Sequence, residues 1–333
     1  MCLLFCFFPK KNKAQSAITL RQYYHVPHQI NPAFAGIEDY WSFHAGYRRV
    51  QLPEANTSQT MFLAANLTFP YQRGKTPYMN SNSLMSSKPD LQAKLQQLVA
   101  NRVISVRSGL GISLQQQRIE MSEYVRTEAQ LAYGVHVPIN RKLSVSGGIM
   151  GSLLADRMDM DSYHIREVTD PRYLELVKRD GKSNLGALQA GVSLQGLLYY
   201  LGYSFGTEIK AWGFSDNDQK MHHKHIFSAG FKWPVNQWLT WYNSAFAMLG
   251  TRDDSYVFFS RVDILNRFRV GGMYSPEEHA SVLAAVYFHP VKLDYSYSTP
   301  LANEVGTVPD VRMHEITLTY FLFRSDFGSR YFW

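Results

Sequence analysis

The sequence predicts an all-β fold, a transmembrane antiparallel β-barrel of about fourteen strands with an extended segment at its N-terminus. First, apolar and polar residues alternate over stretches of about ten residues, which suits tilted strands that cross a bilayer. Second, the chain contains 21 Tyr and 20 Phe, but only 18% of its residues are charged, below the roughly 25% of soluble domains. Third, no apolar run reaches the roughly 18 residues that a transmembrane helix needs. An array of soluble β-sandwiches is the alternative.

We predict that residues 1–16 are an export signal. Apolar residues 1–8 precede Lys10 and Lys11, whereas an export signal carries its positive charges first. We therefore expect that the start of the signal is truncated or misassigned. Ala14-Gln15-Ser16 offers small residues for cleavage. Cys2 and Cys6 are the two cysteines, so the body has no disulfide framework and no cysteine metal site.

Residues 17–39 predict an extended N-terminal segment that contains the stretch Gln22–Gly36. Pro27 and Pro32 remove two backbone donors and favour extended conformations in the residues before them. The stretch also carries four large apolar side chains, whose burial is worth roughly 1.5–3 kcal/mol each. These are Tyr23, Tyr24, Ile30 and Phe34. We therefore expect the stretch to pack inside the barrel or against its periplasmic rim, with a disordered linker as the alternative.

Residues 40–323 predict the barrel, and residues 324–333 a C-terminal tail. Fourteen alternating segments are expected, with an uncertainty of about two strands. They lie near 40–50, 58–70, 104–117, 123–137, 141–155, 183–195, 198–209, 222–234, 237–249, 254–264, 267–275, 280–288, 291–298 and 312–323.

Alternation also predicts which side chains face the lumen. In the fourth segment Leu131 should face lipid and Gln130 the lumen. The same phase places six charged residues inside the barrel, where they would either line a pore or neutralise one another in a polar network. These are Arg107, Arg126, Glu128, Lys292, Asp294 and Glu315.

The connections differ in length. Short turns are predicted after strands 4, 8 and 10, and by the same parity after strands 6 and 12, at the periplasmic end of the barrel. The long connection 71–103 breaks this pattern, and residues 89–100 within it predict a periplasmic helix.

Aromatic residues gather near the strand ends, where Tyr and Trp favour the membrane–water boundary over either phase. They are Tyr40, Trp41, Trp212, Trp233, Trp238, Trp241, Tyr331 and Trp333. The net charge is +7, without the long basic runs typical of nucleic-acid binding, and indicates contact with anionic outer-membrane lipid.

Enzymatic and metal sites find little support. No G-x-S-x-G or H-E-x-x-H motif occurs, so we predict that the protein is not an enzyme and needs no cofactor. Alternation places His223 and His225 on one side, which would bind a metal only with a third ligand. Two acidic groups in long connections would suit weak surface Ca²⁺ but lack the EF-hand pattern. They are Asp156, Asp159 and Asp161, and Asp216 and Asp218.

The stretch Gln22–Gly36 resembles the signature of a known protein family. Its residues Gln22 to Gly36 read Q-Y-Y-H-V-P-H-Q-I-N-P-A-F-A-G. This resembles the N-terminal signature of the PorP/SprF family, approximately Q-Y-M-x-N-P-x-x-x-N-P-A-Y-A-G. Matching residues are Gln22, Tyr23, Pro27, Asn31, Pro32, Ala33, Ala35 and Gly36, with Phe34 as a conservative change. Val26 departs from the pattern, which has Asn there. The closing strand 313–320 is also similar.

The resemblance implies an outer-membrane barrel that serves type IX secretion by docking or anchoring a secreted surface protein. The implied partners are the C-terminal signal domain of that protein, other components of the secretion system, and a periplasmic protein linked to the cell wall. The alternative is a passive or substrate-specific channel for small solutes. A wide continuous lumen would favour the channel, and a plugged lumen would favour docking.

Overall fold

The computed structural model describes residues 23–38, 40–51, 57–69, 106–120, 124–140, 142–158, 182–210, 223–236, 238–250, 254–265, 267–275, 279–288, 290–300 and 311–322. Within these ranges the chain forms one closed antiparallel barrel, in which each strand pairs with its sequence neighbours and the first pairs with the last. Closure pairs the backbone groups that lipid would otherwise leave without partners. No described helix is long and apolar enough to cross a membrane.

About fourteen strands were predicted and the described residues form fourteen, so the fold prediction is confirmed. In chain order the strands are β1 (Trp41–Gln51), β2 (Thr57–Phe69), β3 (Arg107–Ile119), β4 (Tyr124–Pro138), β5 (Ser144–Arg157), β6 (Lys182–Gln195), β7 (Tyr199–Lys210), β8 (His223–Pro234), β9 (Leu239–Gly250), β10 (Ser255–Ile264), β11 (Phe268–Ser275), β12 (His279–Phe288), β13 (Val291–Pro300) and β14 (Arg312–Leu322).

The two faces of each strand differ as alternation predicts. In β4 Leu131 is 56% exposed on the outer face, whereas its neighbour Ala132 is fully buried. In β5 Leu153 is 68% exposed, whereas Met150 is buried. Exposed apolar side chains on the outside of a closed barrel identify the surface that contacts lipid.

Short turns follow the even-numbered strands from β4 to β12, including the predicted turns after β6 and β12. We call this the short-turn end, which outer-membrane barrels place in the periplasm. The turn before β5 is longer than predicted, because the Asn140 side chain accepts hydrogen bonds from the backbone N–H groups of Lys142 and Leu143. The strand predicted from residue 141 therefore begins at Ser144. The predicted helix 89–100 lies outside the described residues.

Most of the described aromatic residues proposed for the membrane boundary lie at the short-turn end. Trp233, Trp238 and Trp241 are exposed there, and Trp41 donates a hydrogen bond to the backbone O of Thr68 at 3.1 Å. Tyr40 was placed wrongly, since it is buried and packs edge-to-face against Phe321. Trp212, Tyr331 and Trp333 lie outside the described residues.

Residues 23–38 lie inside the barrel, and we call them the inner segment. It contains three short 3₁₀ turns, Tyr23–His25, Pro27–Gln29 and Pro32–Phe34. The segment is therefore less extended than predicted, because proline at the start of a turn supplies the φ that a 3₁₀ turn needs. Asn31 is extended as expected, with φ −146° and ψ 117°, whereas Val26 has ψ 61°.

Candidate functional site

Nearly every described side chain of the inner segment is buried. The motif residues whose side chains are described, together with Gly36, are all buried, with Ala33, Phe34 and Ala35 fully so. They are Pro27, Asn31, Pro32, Ala33, Phe34, Ala35 and Gly36. Gln22 lies outside the described residues, and only the backbone of Tyr23 is described. A segment of sixteen residues thus occupies the lumen where a channel would hold water.

Glycines of the barrel wall make room for this segment. A Cβ added to Gly109 would meet the backbone of Ala35 and Gly36, and one added to Gly134 would lie 2.9 Å from the Ala35 oxygen. A Cβ on Gly148 would lie 2.6 Å from the backbone N of Ala33. Glycine inside a strand commonly marks such a close approach of another backbone. We call these glycines the glycine cradle; they are Gly109, Gly111, Gly134, Gly148, Gly191 and Gly202.

Asn31 fixes both the shape of the inner segment and its attachment. Its side-chain oxygen accepts a hydrogen bond from the backbone N–H of Ala33 at 2.9 Å, which caps the turn that starts at Pro32. Its amide nitrogen donates to the backbone O of Val192 at 3.0 Å and of Tyr203 at 3.3 Å. One side chain therefore connects the segment to β6 and β7.

Gly36 meets two requirements at once. Its φ of +61° lies in the left-handed region that side chains disfavour. A Cβ at this position would also meet the backbone of Gly109 and the carbonyl oxygen of Leu67. Glycine is therefore needed here for both conformation and space.

Polar side chains of the wall satisfy backbone carbonyls of the inner segment. The oxygen of Ile30 accepts hydrogen bonds from Gln189 at 2.9 Å and Ser204 at 2.8 Å. The oxygen of Ala35 lies 2.8 Å from Nε2 of His136, and that of Gly36 accepts from Thr68 at 2.9 Å. A buried carbonyl without a partner costs about 1–3 kcal/mol, so these contacts hold the segment in one place.

Two buried histidines lie within the segment. Nδ1 of His28 is 2.9 Å from Oδ1 of Asn66, and burial lowers the pKa of His28 to about 4. Nε2 of His25 is 3.5 Å from Asp294. Burial, followed by the positive charge of Lys292, lowers the pKa of His25 to about 4. Both histidines are therefore neutral in the packed segment at neutral pH.

Tyr24 anchors the segment on the opposite side of the lumen. Its ring stacks on Phe259 at 5.2 Å, within an apolar cluster that also holds Ile30. Cationic groups of Arg261, Arg269 and Lys292 lie 5.5–5.6 Å from the centre of the same ring. The face of an aromatic ring attracts cations, so Tyr24 links the apolar cluster to the charged wall.

The six charged residues proposed for the lumen lie on inner-face positions of their strands. Arg126 forms a two-pronged ion pair with Asp156 at 2.8 and 3.0 Å. Lys292 lies 3.0 Å from Asp294. Glu315 lies opposite Arg48 in the β1–β14 pairing.

The two remaining residues of this set contact polar groups. Glu128 accepts a hydrogen bond from Gln130 at 2.6 Å, and Arg107 donates to the backbone O of Ile37 at 3.5 Å. These charged side chains contact polar or charged partners, and Arg126 and Asp156 stay partly exposed within the barrel.

Two features of the site were missed from the sequence. Arg269 pairs with Asp263 at 2.8 and 3.0 Å. Alternation places both residues inward, but their pairing depends on the register between β10 and β11. The glycine cradle was missed because alternation does not show what an inward glycine faces.

A cavity of about 60 Å³ lies beside the inner segment, bordered by Tyr24, Glu38, Arg269 and Lys292 among others. No group of three potential metal ligands occurs among the described residues. His223 and His225 lie on the outer face, where their rings contact Phe205. His222, Asp159, Asp161, Asp216 and Asp218 lie outside the described ranges.

Comparison with solved structures finds an outer-membrane protein, a transporter and a channel at low sequence identity. The Acinetobacter baumannii outer membrane protein Omp33 is 8% identical, with 85% of this chain and 99% of that chain covered, at a TM-score of 0.44. A Pseudomonas putida toluene transporter, TodX, is 9% identical over 92% of this chain and 94% of its own, at 0.47. The monoaromatic hydrocarbon channel CymD is 9% identical over 89% and 91%, also at 0.47.

Comparison of the sequence with protein families gives a more specific result. No curated protein matches this chain. The family described as the type IX secretion system membrane protein PorP/SprF matches residues 12–320, nearly the whole chain. The chain therefore belongs to the PorP/SprF family of type IX secretion system membrane proteins, and it is a β-barrel of the outer membrane.

Proposed function

We propose that this barrel is a non-enzymatic docking component of type IX secretion, which anchors a secreted surface protein rather than conducting solutes. The long connections at the outer end would hold the C-terminal signal domain of that protein. The short-turn end would contact other secretion components and a periplasmic protein linked to the cell wall.

The observation that carries this proposal is the occupied lumen. A solute channel needs a continuous aqueous path, whereas the inner segment lies in the lumen and contacts β2, β3, β6 and β13, among other strands. The buried charges beside it are engaged with one another rather than arranged along a path. Such a barrel is suited to act as a rigid membrane platform.

The experiment that tests the proposal is an affinity purification from gently solubilised outer membranes. A tagged copy of this protein should co-purify secreted proteins that carry a C-terminal signal domain, and its loss should release them from the cell surface. An outer-membrane barrel of similar size and unrelated family serves as the control. Unchanged surface retention in cells without this protein, together with steady uptake of small solutes through the purified barrel, would overturn the proposal in favour of the channel.

A further inference from the structure

A row of basic residues crosses seven neighbouring strands on the outer face. Pairing places His314 opposite Arg49, Arg49 opposite Gln59, and Gln59 opposite Arg118. The row continues from Arg118 through Val125 to Arg157, and then to Lys182. Adjacent strands are about 4.8 Å apart, so the row extends over roughly 30 Å. We call Arg49, Arg118, Arg157, Lys182 and His314 the basic row.

These side chains project toward lipid, not into the lumen. All five members of the basic row are exposed at outer-face positions. Two residues before Arg49 lies Tyr47, which is exposed on the same face, and Leu153 lies four residues before Arg157. The row therefore lies just beyond the lipid-contacting surface, at the end with the long connections, which faces the cell exterior in outer-membrane barrels.

The charges of the described strands are sorted by face. Every Asp and Glu of these strands lies at an inward position: Glu128, Asp156, Glu208, Asp263, Asp294 and Glu315. Outward Lys and Arg side chains of the described strands occur only near the outer end, where Arg312 lies beside the basic row. At the short-turn end the exposed cations Lys142 and Arg267 lie in turns. A general attraction of basic residues to either membrane surface would not produce this sorting.

We propose that the basic row binds the phosphate groups of an anionic lipid headgroup in the outer leaflet. Guanidinium groups hold phosphate oxygens with two parallel hydrogen bonds. The position of the row between lipid-facing residues and the exterior favours a headgroup anchored in the membrane over a soluble anion. Glu120, the one acid described beside the row, accepts a hydrogen bond from Gln59 at 2.5 Å and another from Thr57. The single negative charge of Glu120 stands against four Arg and Lys side chains, so the row keeps a net positive charge.

The proposal can be tested by native mass spectrometry of the detergent-solubilised full-length protein, titrated with bisphosphorylated lipid A. The double variant Arg49→Gln/Arg118→Gln should bind about 10- to 30-fold more weakly. Each Lys or Arg near an anionic lipid surface strengthens binding about fivefold, and the variant removes two of them. The charge-matched control Lys142→Gln/Arg267→Gln should stay within about twofold of the wild type. Arg49→Lys/Arg118→Lys keeps the charge but loses the paired hydrogen bonds, so it should bind more weakly than the wild type and more tightly than the glutamine variant.

Folding is checked by the shift in gel mobility on heating in SDS. If the double variant does not fold, Arg157→Gln alone should weaken binding about fivefold. Equal losses in the control variant, or unchanged binding in the basic-row variants, would overturn the proposal. So would equal binding of lipid A without its phosphates. Displacement of the lipid by excess inorganic phosphate would show a site for soluble anions instead.

Discussion

Two adjacent glycines of β5 show that the space for a larger side chain depends on which face of the strand the residue occupies. Gly148 faces the inner segment, where an added Cβ would lie 2.6 Å from the backbone N of Ala33. Gly147 faces outward and would meet nothing within 4 Å. We expect Gly148→Val to destabilise the folded barrel by about 1–3 kcal/mol, because overpacking forces backbone shifts.

Gly147→Val is the matched control, since it adds the same side chain to the same strand on the lipid side. Its effect should stay within about 0.5 kcal/mol. Urea unfolding in lipid vesicles measures both variants. Equal losses would show that the glycine cradle does not contact the inner segment in the membrane.

A second prediction at the scale of single residues concerns pH. The packed His28 is neutral because burial lowers its pKa to about 4, whereas a free histidine has a pKa near 6.5. The released segment therefore binds more protons as the pH falls, so packing is fully stable above about pH 6.5 and weakens toward pH 4. At pH 5 the loss from this residue should be about 2 kcal/mol. His25 should add to it in the same direction.

Hydrogen exchange of the inner segment, corrected for intrinsic rates, measures this effect between pH 7.5 and 5. His28→Gln removes one titrating group and should reduce the pH dependence. A variant that keeps the full dependence on pH would assign it to groups other than His28.

At the scale of elements, the inner segment owes its order to two residues that the sequence motif already contains. Asn31 caps the turn at Pro32 and donates to β6 and β7, and Gly36 supplies a positive φ. Asn31→Ala should cost about 1–3 kcal/mol, because its partners lose buried hydrogen bonds. Gly36→Val should cost at least as much, since it adds strain to a steric clash.

Both variants should leave the barrel inserted while they loosen the inner segment. Limited proteolysis from the periplasmic side, compared with the mobility shift of the barrel on heating in SDS, separates these two effects. Retention of the secreted surface protein, measured on intact cells, then shows whether docking depends on an ordered segment. Wild-type cleavage as fast as that of a free peptide would contradict the packed arrangement.

Strand β4 permits a test of the two faces with neighbouring residues. Leu131 is 56% exposed to lipid, whereas Gln130 donates to Glu128 and accepts from Ser113 in the lumen. Leu131→Arg should cost about 2–4 kcal/mol near the middle of the bilayer. Gln130→Arg should cost much less, because Glu128 lies beside it. Urea titrations in vesicles that give similar values for both would reverse the assignment of faces.

The sequence contains enough information for the strands but not for what lies between them. Alternation of apolar and polar residues gives the number of strands and, in β4 and β5, their approximate ends and lipid face. It does so because lipid selects apolar residues at every second position. The start of β5 was predicted three residues early, since it depends on the side chain of Asn140 in the turn. The pairing of Arg269 with Asp263 needed the strand register, and the role of Gly148 needed the path of a distant segment.

At the scale of the whole molecule, the inner and outer faces of the barrel wall carry different charges, and the inner segment occupies the lumen. A buried charge in the wall is costly unless it has a close partner of opposite charge. Lys292 and Asp294 form such a pair. The inner segment completes this arrangement by placing His25 and Tyr24 beside Asp294. The barrel wall and the inner segment therefore stabilise one another, and the segment is an integral part of the folded barrel.

This mutual dependence leads to a prediction about conductance. The wild-type barrel in a planar bilayer should show no steady current, because the segment occupies the lumen of a fourteen-stranded barrel. Replacement of residues 23–36 by a Gly/Ser linker of equal length should open an aqueous path, since barrels wider than about eight strands leave space inside. Single-channel recording measures the difference.

A synthetic peptide with the sequence of residues 23–38 should reduce the current of the linker variant. A scrambled peptide of the same composition is the control, because it keeps charge and apolar area but loses the positions of Asn31 and Gly36. Block by both peptides would indicate unspecific occlusion. A wild-type barrel that conducts as well as the linker variant would contradict the filled lumen and would favour a solute channel over a docking platform.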